Sequence, residues 1–243
     1  MYKLDDWVKA SKLDPYFISR NPRAIHYLQE HPEMIDWEGL SSNTEAMHLI
    51  VKNIDKVCWW NLSSNPSAID LLLQYPTHIN WDGLSKNHAA IHLLKQNPSQ
   101  INWDILNENP NALDMLLENP SRINWIWMSQ NTSAIELIHS NQHKIDWIML
   151  SHNCNAMDLI TSNMDKINWV ILSANTSAIS LLKNNISEIS WDVVSGNENI
   201  FVYDYAKMES RLAIYREELL SIALHPDRIS AWLKSGFTIR DLF

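Results

Sequence analysis

The sequence predicts an all-α fold: an α-solenoid of about nine two-helix repeats of 22 residues, with a helical cap at each end. Three observations predict it. Tryptophan recurs at Trp37, Trp59, Trp81, Trp103, Trp125, Trp147, Trp169 and Trp191, always 22 residues apart. An aliphatic column follows three residues behind, from Ile18, Leu40 and Leu62 through Met128 to Val194. Asparagine (Asn21 to Asn197) and alanine (Ala24 to Ala178) keep the same register, and only Ile200 breaks the alanine column. A fixed period of 20–50 residues marks a repeat architecture, in which each unit buries its apolar face on its neighbours.

The elements follow in chain order. Residues 1–12 hold Trp7 and Val8 behind Asp5 and Asp6, which predicts an N-terminal capping helix. The solenoid occupies 13–204. The residue before each tryptophan is Asp14, Asp36, Asn80, Asn102, Asn124, Asp146, Asn168 or Ser190, all good N-cap types; Cys58 is the exception. Pro15 replaces tryptophan in the first unit, and proline suits the first helical position. The first helix of each unit should run from the tryptophan to about the serine after the leucine. The recurring asparagine should cap the second helix, with Pro22, Pro66 and Pro110 just behind it. Ala-Ile-x-Leu-Leu then gives that helix one broad apolar face. A second asparagine ends it, at Asn53, Asn97, Asn119, Asn141, Asn163 and Asn185, where a left-handed backbone is expected. Helices this short do not hold alone in water.

Past Trp191 the pattern fades through Ile200, Phe201 and Tyr203. A long helix is expected over about 201–224, stopped by His225-Pro226, then a last helix with Ile229, Trp232 and Leu233 that Gly236 ends. Residues 205–243 form the C-terminal cap, sealing the exposed core of the last repeats, and the whole chain is one continuous domain.

The formal net charge of −9 disfavours phosphate backbones and anionic membrane surfaces, so no nucleic-acid partner is expected. No window approaches the ~20 apolar residues of a membrane span, and the first residues lack the apolar core of a signal peptide. Cys58 and Cys154 lie in different repeats, too far apart for a disulfide, which suits a reducing compartment.

Units such as 101–117, with Ile-Asn-Trp-Asp-x-Leu and Asn-Pro-x-Ala-Ile-x-Leu-Leu patterns, resemble a repeat family of nucleocytoplasmic large DNA viruses, the mimivirus- and chlorovirus-like group. The C-terminus, with His225-Pro226-Asp227-Arg228, Trp232-Leu233, Gly236 and Asp241-Leu242, is also similar to endings in that group. The resemblance covers nearly the whole chain. It implies a helical-repeat fold, a viral setting in host cytoplasm or virion, and no particular activity. Asn87-His88 and Asn153-Cys154 depart from the Asn-Pro pattern.

The sequence shows no catalytic apparatus. Four glycines build no phosphate loop, and there is no Cys-x-x-Cys pair. His88 and His92 have helical metal spacing, but no acidic residue shares their turn. No cofactor or metal is expected, and the chain reads as a non-enzyme. The tryptophans are expected in the core; the alternative is a row of ligand-stacking platforms. Two surface strips are candidates. The pairs after the tryptophans turn apolar in later units, as Ile126 and Trp127, Ile148 and Met149, Val170 and Ile171, and then Val193. The second of each pair lies about 200° from the tryptophan, at ~100° per residue. It should therefore face away from the core, onto an outer surface that either binds a partner or lies under the C-terminal helix. The other strip is the polar column His26, His48, Asp70, His92, Asp114, Glu136 and Asp158, either a solvated ridge or a surface for a basic partner. The function expected is a protein-interaction or minor structural scaffold, with an adaptor for a host protein as the alternative.

Overall fold

The computed structural model describes residues 2–235. It divides into two compact units, one spanning 2–202 and one beginning at Tyr203.

The larger unit is the repeat array, and it is helical throughout apart from one two-stranded sheet. Its first helices are Pro15–Arg20, Trp37–Ser41, Trp59–Ser64, Trp81–Lys86, Trp103–Leu106, Trp125–Met128, Trp147–Leu150, Trp169–Leu172 and Trp191–Val194. They define units one to nine. The expected caps are formed: Asp14, Asp36, Asn80, Asn102, Asp146 and Asn168 each accept an N–H three residues on, and Asn124 accepts one two residues on. Ser190 and Cys58 cap nothing with their side chains.

The second helix is built differently from expectation. Each recurring asparagine accepts the N–H two residues on, as Asn65 does from Ser67 at 2.9 Å, and so caps a single 3-10 turn such as Pro66–Ala68. The α-helix proper starts after the alanine, as in Ile69–Gln74. The closing asparagines are not left-handed. Asn97 sits at φ −129°, ψ 60°, and its side-chain amide donates to the Leu93 carbonyl at 2.9 Å. Asn53, Asn119, Asn141, Asn163 and Asn185 do the same four residues back. The side chain thus satisfies a last-turn carbonyl that a left-handed cap would have bonded through the backbone.

Three columns make the core, each fully buried: the one from Ile18 to Val194, the alanines, and the second-helix residues Leu28, Ile50, Leu72, Leu94, Leu116, Ile138, Ile160 and Leu182. Two polar ladders run through it. Each recurring asparagine donates its side-chain amide to two carbonyls of the preceding unit. Asn109, for example, reaches Ser85 and Asn87, both at 3.0 Å. Each serine after the aliphatic column accepts the N–H that opens the next unit's first helix, as Ser63 does from Asn80 at 2.9 Å. In unit five Asn107 stands for serine, donating to the Trp103 carbonyl and accepting from the Asn124 N–H.

These ladders have no ends. Asn21 donates to Ser195 and Asn197 of unit nine at 3.1 and 3.0 Å, and the Asp14 N–H donates to Ser195 Oγ at 3.0 Å. Unit nine is therefore joined to unit one as any two neighbours are joined. The array is a closed ring, each unit turning the chain by roughly 40°, one ninth of a circle.

The ends of the ring unit complete it rather than capping an open stack. Where a helix was expected over 1–12, Tyr2–Leu4 forms a strand paired with Phe201–Tyr203, and Ala10–Lys12 a 3-10 turn. This segment supplies the half of unit nine that 191–202 lack. Trp7 packs on Trp191 with centroids 6.0 Å apart, and Asp5 holds Lys183 of unit eight at 2.6 Å. Ile200 and Phe201, the latter opening the second strand, are buried where other units have an alanine and an aliphatic residue. The faded sequence pattern there is the seam of the ring.

The C-terminal unit holds two helices, Tyr205–Ala223 and Pro226–Lys234. The first is capped by Asp204, which accepts the Lys207 N–H at 3.0 Å. It starts later than expected because 201–203 are strand. The expected stop at Gly236, like Asp241 and Leu242, lies outside the described residues.

Candidate functional site

The first helices face the centre of the ring. A cavity of about 410 Å³ is lined by Phe17, Arg20, Lys86, His152, Ile171, Ala174, Val193 and Gly196. These residues come from units one, four, seven, eight and nine, and only a lumen brings such distant units together. They occupy two positions of the repeat: the second residue after the tryptophan place (Phe17, Ile171, Val193) and the fifth (Arg20, Lys86, His152, Ala174, Gly196). The two positions are about 60° apart at ~100° per residue, so they share one helix face.

This corrects the placement of one expected strip. Ile171 and Val193 do point away from the core, but into the ring and not onto an outer surface. Trp127 and Met149 hold the equivalent position in units six and seven and are half-buried. In units two and four the position is Gly39 and Gly83, both buried, where a Cβ would overlap the Tyr16 and Trp60 carbonyl oxygens. Glycine there lets neighbouring first helices approach closely.

The preceding residues behave differently. Ile126, Ile148 and Val170 are each 49% exposed, at one position on three successive units. In units four and five that position is Asp82 and Asp104, whose carboxylates accept from the side-chain amides of Asn102 and Asn124. An open groove of about 770 Å³ runs there, past Trp103, Arg122 and Trp125.

The tryptophans are half-buried, not sealed in the core. Several carry a cation over one face from the end of their own unit: Lys56 over Trp37 at 4.9 Å, Arg122 over Trp103 at 5.5 Å, Lys144 over Trp125 at 4.8 Å and Lys166 over Trp147 at 4.6 Å. His78 stacks on Trp59 at 4.4 Å, and Lys12 closes the circle over Trp191 at 4.9 Å. A cation over an indole is attracted by the ring quadrupole, so these faces are taken up by contacts that close each unit on itself.

The polar column lies on the second helices. His48, Asp70, His92, Asp114, Glu136 and Asp158 are exposed and His26 is half-buried. Asp158 meets His139 of the neighbouring unit at 3.3 Å. Among the described residues no group of three metal-ligating side chains converges, and both cysteines are free and half-buried. Among the described residues no helix is long and apolar enough to cross a membrane.

No family model, curated protein or solved structure matches this chain.

Sequence reasoning missed the charged members of the lumen. Lys86 and Glu108 pair at 2.6 Å, with Glu108 only 10% exposed. His152 is reached by water from the lumen, yet protein crowds it closely. Its pKa falls below the ordinary value, chiefly from burial, then from the charges of Lys86 and Arg20, with Glu108 opposing. The signal was present: one repeat position carries Arg20, Lys86, Glu108 and His152 where other units have small or neutral residues. Only closure tells that they face one another.

Proposed function

We propose that the repeat unit, residues 2–202, is a rigid ring-shaped scaffold that binds protein partners through its exposed repeat surface. The supporting observation is the apolar strip of Ile126, Ile148 and Val170, at equivalent positions on three adjoining units and each 49% exposed. Apolar residues aligned this way beside a groove bearing Asp82 and Asp104 suit a partner that is part apolar and part basic. The ladders support the reading, because a surface held by buried hydrogen bonds in every unit loses little entropy on binding. The giant-virus resemblance gives its expected setting, virion or host cytoplasm, where a structural role and a host-adaptor role both require such a surface.

The test compares the wild-type ring with an Ile126→Asp, Ile148→Asp, Val170→Asp variant. Both are used to capture partners from infected cells, and both are sized by light scattering. The reading predicts a partner retained by the wild type and lost by the variant at unchanged melting temperature. Partners and oligomeric state identical for both would overturn it.

A further inference from the structure

The lumen is chemically divided. Arg20, Lys86 and His152 hold the same repeat position in units one, four and seven, a third of a circle apart, and line one cavity. The acid near them, Glu108, is engaged by Lys86 at 2.6 Å. Arg20 lies over the Tyr16 ring at 5.5 Å and donates to its hydroxyl at 3.1 Å, and it makes no ion pair among the described residues. Two permanent cations thus face one carboxylate inside a chain whose net charge is −9. The rest of the wall is apolar: Phe17, Ile171 and Val193, with Ala174 and Gly196 leaving room between them. The core columns and ladders do not use these side chains.

We infer that the lumen is a binding site for a small amphipathic anion, a carboxylate or phosphate head on an apolar tail, with the head among Arg20, Lys86 and His152 and the tail along Phe17, Ile171 and Val193. A guanidinium fork takes either head in two parallel hydrogen bonds. The cavity of about 410 Å³ lies within the usual range for small-ligand sites. An anion also answers the electrostatics of His152. The groups facing that ring are Lys86, Arg20 and Glu108, and burial with the two cations holds its pKa down. An anionic head beside it opposes those effects, so binding takes up a proton and tightens as pH falls toward the lowered pKa of free His152.

The experiment is titration calorimetry on the full chain with octanoate, octyl phosphate, octanol and inorganic phosphate. The expected result is binding of one or both anionic amphiphiles with Kd at or below about 1 mM, at least about tenfold tighter than octanol or phosphate alone. Whichever head binds tighter identifies the natural class. Arg20→Gln should weaken that binding by about tenfold or more, and Lys86→Gln serves if the first variant melts early. Three results would overturn the inference: no binding of either amphiphile, octanol binding as tightly as they do, or wild-type affinity in a folded Arg20→Gln or Lys86→Gln variant.

Discussion

Removing the asparagine at the seam separates a ring from an open stack. The Asn21 amide, fully buried, donates to the Ser195 and Asn197 carbonyls and its oxygen accepts from the Arg23 N–H. Asn21→Ala leaves the Asn197 carbonyl one partner, the Ile200 N–H at 3.2 Å. The Ser195 carbonyl and the Arg23 N–H lose theirs. Each buried group left unmet costs about 1–3 kcal/mol, so the two together should cost about 2–6 kcal/mol. That is a large part of the about 5–15 kcal/mol that holds a typical domain. Asn109→Ala, inside the array, breaks the same three bonds, to Ser85, Asn87 and Asn111. Urea unfolding at 25 °C should therefore give the two variants similar losses in midpoint with little change in slope. An open stack would leave the Asn21 amide in water. A cost below about 0.5 kcal/mol for Asn21→Ala, beside several for Asn109→Ala, would refute closure.

Three further outcomes rest on individual positions. Cys58 breaks the cap column, so Cys58→Asn should gain the missing bond to the N–H of Asn61 and raise stability by about 0.5–1 kcal/mol in urea melts. Gly39→Ala should cost about 1–3 kcal/mol, because its Cβ meets the Tyr16 backbone, which cannot rotate away; a neutral result would mean that the first two units sit farther apart. Burial alone would raise the pKa of Asp5, but the hydrogen bond and charge of Lys183 outweigh it and hold the carboxyl below its usual range. A folded-state pKa below the unfolded one gives stability that is present above the carboxylate range, about 3.9, and lost as pH falls through the folded value. Asp5→Asn should thus be less stable at neutral pH and show a shallower acid loss in melts taken from pH 6 to pH 3.

Local features were legible in the sequence because they depend on short-range chemistry. The tryptophan register, the aspartate and asparagine caps and the alternating helices needed nothing beyond one unit and its neighbour. The conformation of the closing asparagines is not legible, because an amide that bonds four residues back competes with the left-handed turn, and composition does not tell them apart. Closure was not read because it is the sum of nine small rotations, each set by packing detail such as Gly39 and Gly83. Its trace was there nonetheless: Lys12 stands in the register of Lys56, Lys144 and Lys166, and unit nine stops half-way. For the same reason the sequence alone puts Ile171 and Val193 on an outer surface. Helix geometry gives a direction away from the core, and only a ring turns that direction inward.

The split ninth unit also bears on how the molecule is made. A ribosome delivers Asp14 181 residues before the Ser195 that receives it. Until then the early segment has no surface to rest on, and Trp7 waits uncovered for Trp191. Eight units can stack as they emerge, but the final clasp is the longest-range step of all and comes last. A growing chain is thus open to premature pairing with another copy's unfinished seam, which would trade halves between molecules.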